Sequence, residues 1–100
     1  MKIVWSPLAL ERVEDIAQYI AEDKPAAAVK WVDELFDTVE RLADFPESGR
    51  IVPEVGAHRI REVMFGAYRV IYSVKDQVDI LTVRRSNQIL RESELGGDET

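Results

Sequence analysis

The stretch RIREVMFGAYRVIYSVKDQVDILTVRR, residues 59–85, decides the fold class. Residues 59–65 divide by alternation into one set with Ile60 and Met64 and an opposite set with Arg59, Arg61, Val63 and Phe65, and β-branched and aromatic residues dominate Tyr68–Val74 and Val78–Val83. Both patterns are typical of strands. The segments between these three runs are only long enough for turns, so we predict a three-stranded antiparallel meander.

Upstream of the meander, the period of the apolar residues is helical. Ser6 followed by Pro7 predicts a helix start, because a hydroxyl suits the N-cap and proline suits the first helical position. Asp23-Lys24-Pro25 ends this helix, and a second one is predicted from Pro25 to about Ala43, before the break at Pro46. The apolar stripes are Val13, Ile16, Ala17 and Ile20 in the first helix and Ala28, Val32, Leu35, Val39 and Leu42 in the second.

Together with a short strand at Lys2–Trp5, these elements predict an α+β domain of order β-α-α-β-β-β. We expect the two helices to form an antiparallel hairpin that covers one face of the sheet and leaves the other face exposed. A helical turn or two is expected within residues 87–95. The predicted single domain spans residues 1–95, with a disordered tail at 96–100. Trp5, Trp31 and Tyr72 are interpreted as core or helix–sheet contacts.

Composition excludes several classes of protein. The chain has no cysteine and one histidine, His58, so a disulfide framework, a thiolate metal site and a histidine metal cluster are not expected. No cofactor motif is present, and His58 is interpreted as a surface residue at a strand end. The N-terminus lacks signal-peptide features, and no apolar stretch approaches a membrane span, which predicts a cytoplasmic protein.

Charge is unevenly distributed along the chain. The net charge is −6, and all of it lies in residues 1–57. Within His58–Arg85, six basic residues face three acidic ones. An acidic total argues against direct DNA binding by this chain alone, whereas the local field of the sheet favours an acidic partner.

A set of arginines accounts for this local charge. Because antiparallel pairing brings the end of the third meander strand beside the start of the second, Arg84 or Arg85 should lie close to Arg69. Guanidinium groups are usually matched by carboxylates or phosphates. Two interpretations remain open: surface ion pairs with Glu47, Glu54 and Glu62, or a partner-binding surface. The set comprises Arg50, Arg59, Arg61, Arg69, Arg84 and Arg85.

Six segments in order resemble the RelE/ParE superfamily of type II toxins over nearly the whole chain. They are WSPLA (5–9), PAAA (25–28), LADFPESGR (42–50), REV (61–63), YRVIY (68–72) and VDILTVRR (78–85). This resemblance implies the toxin half of a toxin–antitoxin pair, with growth arrest and plasmid stabilisation as its biological role. It also implies a cognate antitoxin whose C-terminal segment wraps the toxin's helices and sheet, in a heterodimer that dimerises through the antitoxin.

The superfamily contains two mechanisms, and the residues bear on the choice. RelE-like members are basic, ribosome-dependent mRNA endonucleases that use a C-terminal tyrosine or histidine, and the segment after Arg85 contains neither. ParE-like members inhibit DNA gyrase and need no nuclease centre. We therefore predict a ParE-like gyrase inhibitor with no assigned catalytic residues, although many ParE-like chains carry a histidine where this one has Arg84-Arg85. The alternatives are a nuclease using Arg61, Arg69 and Arg85, and a non-toxic member that only binds its antitoxin.

Overall fold

The computed structural model describes residues 1–88 and 90–95 and contains the predicted α+β arrangement. Within these residues, the chain forms two α-helices, five strands and two short 3₁₀ helices. The helices are α1 (Pro7–Asp23) and α2 (Pro25–Glu40), and the 3₁₀ helices span Arg41–Ala43 and Glu92–Leu95. The strands are β1 (Ile3–Trp5), β2 (Arg50–Ile51), β3 (Ile60–Phe65), β4 (Tyr68–Val74) and β5 (Val78–Arg85).

The helix boundaries follow the local chemistry of the sequence. The Ser6 hydroxyl accepts a hydrogen bond from the Ala9 N–H at 2.9 Å and thereby caps α1. It also donates to the Leu81 carbonyl at 2.9 Å, which ties the start of α1 to β5. The second helix ends at Glu40, and the remaining predicted residues, up to Ala43, form a 3₁₀ turn. The helical hairpin is confirmed.

The sheet is mixed, with strand order β1-β5-β4-β3-β2. The predicted meander forms its centre, and β1 pairs in parallel with β5 at the far edge. The two-residue β2 was not predicted, because a strand this short carries no readable period. At the β3–β4 turn, Gly66 adopts a φ of 58°, a conformation that glycine reaches without steric cost. The last strand extends two residues beyond the predicted Val83, to Arg85.

The main core lies between the hairpin and one face of the sheet. Leu35 and Val39 of α2 pack against Val70, Tyr72 and Ile80, all of them buried. Aromatic rings seal the helix–sheet boundary: Trp5 lies 4.6 Å from Phe36 and Trp31 lies 5.5 Å from Tyr68 between centroids. The interpretation of Trp5, Trp31 and Tyr72 as core or helix–sheet contacts is confirmed.

The expectation that the second face of the sheet is exposed was wrong. A smaller core covers much of it, built from Val52, Ile60, Ile71 and Leu90. The chain between β2 and β3 and the residues after β5 fold back over this face because they carry the apolar side chains that it needs. The predicted C-terminal helical segment is confirmed only as the 3₁₀ helix Glu92–Leu95, and the predicted tail at 96–100 lies outside the described residues.

Candidate partner-binding surfaces

Arg69 is buried at the centre of the second face and is held by two carboxylates. It is 5% exposed. Its Nε donates to Glu62 Oε1 at 2.6 Å, and its two terminal nitrogens donate to the Glu54 oxygens at 2.8 and 2.9 Å. Arg69 also donates to the Gln88 carbonyl at 3.1 Å, while Arg50 closes the network by donating to Glu62. Four of the five guanidinium N–H groups therefore donate to groups of the same chain.

The electrostatics of this network follow from its hydrogen bonds. The bidentate hydrogen bond from Arg69 lowers the pKa of Glu54 from 4.5 to about 2. The same contact with Glu54, reinforced by Glu62, raises the pKa of Arg69 above its ordinary value. Arg69 therefore stays charged and Glu54 stays ionised across the physiological range.

A second network lies beside the first on the same face. Of the two arginines that the sequence predicted near Arg69, Arg84 is its cross-strand neighbour, and it donates to Glu94 Oε2 at 2.6 Å. The other Glu94 oxygen accepts from the buried Thr82 hydroxyl at 2.9 Å and lies 3.6 Å from Arg12. Sequence reasoning missed Glu94, because only charge complementarity with the preceding arginines signals its role.

The remaining arginines lie elsewhere. Alternation along β3 places Arg61 on the helix-facing side of the sheet, opposite to Glu62. The Arg61 guanidinium donates to the Gly49 carbonyl at 2.9 Å. Arg85 is exposed at the end of β5, with its guanidinium 5.7 Å from the Tyr68 ring centroid. Arg59 is exposed just before β3, as is His58. The structure therefore does not gather the six predicted arginines into one surface.

Of the three acidic partners proposed for the arginines, two form ion pairs. Glu54 and Glu62 bind Arg69, whereas the described contact of Glu47 with an arginine is made by its backbone carbonyl, 3.4 Å from Arg61. The interpretation of the arginines as ion-paired residues therefore accounts for Arg50 and Arg69, whereas Arg84 pairs with Glu94, which was not among the predicted partners. Arg59 and Arg85 keep exposed side chains and remain candidates for partner contacts.

The nuclease candidates do not converge either. Arg69 lies on the face away from the helices, whereas Arg61 and Arg85 belong to the opposite side of the sheet. In the register, Arg61 pairs with Tyr72 and Arg85 pairs with Tyr68, four residues apart along β4, which is roughly 13 Å. Three guanidinium groups in this arrangement cannot bind the same phosphate.

An apolar groove runs along the outer side of the helical hairpin. It has a volume of about 400 Å³ and is lined by residues of both α1 and α2. Val29 in its wall is 64% exposed, and Leu10 farther along α1 is 46% exposed. Small side chains keep the two helices close and the groove shallow. The lining residues are Ala17, Ala21, Pro25, Ala28, Val29 and Val32, with Glu14, Gln18 and Asp33 also contributing.

Two further classes of site find no support in the residues that the structure describes. Within residues 1–88 and 90–95, no group of three or more histidine, aspartate or glutamate side chains is arranged to hold a metal ion. None of the helices in that same part of the chain has the length and apolar character to cross a membrane.

Comparison with known proteins identifies relatives of the chain. Residues 3–90 match the family model described as the ParE toxin of the type II toxin–antitoxin system parDE. A curated Sinorhizobium fredii protein named "Putative toxin Y4kP" is 34% identical over 89 residues, which cover 87% of this chain and 90% of that protein.

A solved structure shares the fold. The chromosomal ParDE TA system from P. aeruginosa contains a chain that superposes with a TM-score of 0.71 at 21% identity. The match covers 85% of this chain and 95% of that one. The five-stranded sheet and the helical hairpin are thus a known architecture.

Proposed function

Because this chain belongs to the ParE toxin family of parDE type II toxin–antitoxin systems, we propose that it acts by binding rather than by cutting. In the proposed scheme, the free toxin inhibits DNA gyrase and arrests growth, and a cognate antitoxin silences it. In the role of plasmid stabilisation, loss of the antitoxin would release the toxin in daughter cells.

The hairpin groove is the proposed antitoxin surface. Its exposed lining is mostly apolar and includes the exposed Val29 side chain, while three polar residues, Glu14, Gln18 and Asp33, also contribute. Surfaces of this kind in small proteins mark interaction sites. The carboxylates of Glu14 and Asp33 at the groove favour an antitoxin helix or extended segment whose apolar residues are flanked by basic ones. Acidic antitoxin residues would instead meet Arg59 or Arg85.

A substitution in the groove tests this assignment. Val29→Asp places a charge in the apolar wall at a position that is already 64% exposed, so the fold should persist. We expect affinity for the antitoxin encoded beside the toxin gene to fall by at least about tenfold in isothermal titration calorimetry. Lys30→Asp on the same helix changes the charge more but lies outside the groove lining, and it should bind normally. Equal loss in both variants would contradict the groove assignment.

The proposed mode of action rests on the arrangement of the arginines. Arg69 is sealed by Glu54 and Glu62, while Arg61 and Arg85 lie on the opposite side of the sheet. Phosphoryl transfer needs positioned cations and a proton-transfer group around one phosphate. The separation of these residues supports a toxin that inhibits its target by surface complementarity, and family membership supports gyrase as that target.

Gyrase supercoiling in vitro tests the target. The purified toxin should block ATP-dependent supercoiling of relaxed plasmid, and addition of the antitoxin should restore it. Unaffected supercoiling at large toxin excess would contradict gyrase inhibition. New cleavage ends in translated messages, mapped by primer extension after induction, would instead support the endonuclease alternative. Normal growth on induction would support a non-toxic family member.

A further inference from the structure

The outer edge of β3 is only half covered. The short strand β2 pairs with Arg61 and Glu62, while β3 continues to Phe65. Beyond Glu62, the chain that would extend β2 turns away, because the Ser48 N–H donates to the Phe45 carbonyl at 3.1 Å. Among the described residues, no strand pairs with the outer edge of Val63–Phe65.

The backbone of Met64 points to this open position. In the two-residue hairpin turn Gly66-Ala67, the flanking Phe65 and Tyr68 form the closing hydrogen-bonded pair. Alternation then directs the backbone groups of every second residue of β3, including Met64, to the outer edge. The bond from the Val52 N–H to the Ile60 carbonyl, at 3.1 Å, shows this direction at the start of the strand.

The side chains at this edge are exposed and apolar, which is typical of a binding site rather than of a protected edge. Exposed edges are usually blocked by charges or proline, but Met64 is 48% exposed and Phe45, in the turn that leaves the edge open, is 66% exposed. A groove of about 410 Å³ runs beside the strand, with Met64 and Val63 among its lining residues.

The charge of this groove selects the kind of partner. Arg41 and Arg50 are its cations, and its one carboxylate, Glu62, is buried and already bound to Arg50 and Arg69. If a second copy of the chain paired symmetrically at Met64, the arginines of one copy would face those of the other. Like-charge repulsion disfavours this arrangement. An acidic segment meets no such penalty.

We propose that the edge at Met64 is a strand-addition site for an extended acidic segment of a partner protein. The segment pairs its backbone with Met64, packs an apolar side chain on the Met64 thioether, and places a carboxylate near Arg41 or Arg50. This site is separate from the hairpin groove: Val29 and Arg41 are twelve residues apart along the second helix and its 3₁₀ extension, which corresponds to roughly 18 Å.

The test uses synthetic peptides and the ¹⁵N-labelled full chain, so its outcome does not depend on toxicity or on gyrase. The probe is a capped seven-residue peptide of alternating valine and threonine with an aspartate at each end. We expect it to shift the Met64 amide resonance in NMR titration. A version with terminal lysines should bind about two- to fivefold more weakly. A version N-methylated at its centre should lose about three- to tenfold in affinity, because one backbone donor is removed.

Variants of the toxin complete the design. Met64→Pro removes the outward N–H without breaking the ladder to β4, since proline is tolerated on an edge whose N–H faces solvent. It should fold and lose the peptide, whereas Met64→Ala should still bind it. The proposal is overturned if the Met64 amide does not respond to millimolar peptide. It is equally overturned if the N-methylated peptide or the folded Met64→Pro variant binds as well as the original pair.

Discussion

Gly49 shows how one residue can hold two layers together. Its N–H donates to the buried Tyr72 hydroxyl at 2.9 Å, and burial raises the pKa of that phenol. An added Cβ at Gly49 would lie 2.5 Å from both the Glu62 carbonyl oxygen and the Tyr72 hydroxyl. Glycine is therefore required here by close approach, in the segment where β2 begins.

We predict that Gly49→Ala destabilises the protein by about 2–3 kcal/mol, because backbone and a buried ring must both move. Urea denaturation measures the change. Gly56→Ala is the matched control: Gly56 has a φ of 72°, but a methyl group added there would meet no atom of a non-neighbouring residue within 4 Å. It should therefore cost only about 1 kcal/mol of strain. Equal costs at the two positions would show that crowding at Gly49 is relieved.

Glu54 gives a pH-dependent contribution to stability. Its pKa falls from 4.5 to about 2 in the folded state through the Arg69 hydrogen bond. The stabilisation is fully present above pH 4.5 and is lost as the pH falls through about 2. Because the side chain is 33% exposed, we expect Glu54→Gln to cost about 1 kcal/mol at pH 7.

Chemical denaturation at a series of pH values checks this prediction. The difference in unfolding free energy between the unmodified protein and Glu54→Gln should shrink between pH 4.5 and 2. Glu47→Gln serves as the control, since the described contact of Glu47 with Arg61 uses its backbone carbonyl. A difference that stays constant down to pH 2 would mean that the Glu54 carboxylate does not stabilise Arg69.

At the scale of elements, Ser6 joins the first helix to the last strand. Its hydroxyl accepts from the Ala9 N–H and donates to the Leu81 carbonyl, both at 2.9 Å. We predict a loss of about 1–2 kcal/mol for Ser6→Ala, because a cap and an interlayer hydrogen bond disappear together. Thermal unfolding measures the loss, and Ser6→Thr, which keeps the hydroxyl, should recover most of it. Failure of threonine to recover stability would point to packing instead.

At the scale of the whole molecule, the sheet separates an apolar core from a second face rich in ion pairs. Glu94 fastens the C-terminal segment to this second face through Thr82 and Arg84. We predict that Glu94→Ala costs about 3 kcal/mol, since it leaves a buried hydroxyl and a largely buried guanidinium without this carboxylate. Hydrogen exchange of the Leu90 and Glu94 amides should accelerate. Glu94→Gln keeps an acceptor for Thr82 and should cost less.

Local patterns in the sequence determined the elements of this protein. The Ser6-Pro7 cap, the helical stripes through Val13 and Leu35, and the β-branched run Tyr68–Val74 each depend on neighbouring residues, so the sequence alone predicts them. The antiparallel pairing that brings Arg84 or Arg85 close to Arg69 also followed, because short turns leave few alternatives, whereas the choice of Arg84 depended on the register in the structure. The sequence alone also indicates the family, because each of the six matching segments is a short contiguous stretch that can be recognised without the structure.

The tertiary structure decided the environment of the functional candidates. The sequence contains the arginines and glutamates but could not show that Glu54 and Glu62 would enclose Arg69, or that Glu94 would return to Arg84. Nor could it show that the turn at Phe45–Ser48 would leave Met64 at an open edge. These contacts join residues distant along the chain, and they depend on how loops fold over a face, which neither periodicity nor local propensity specifies.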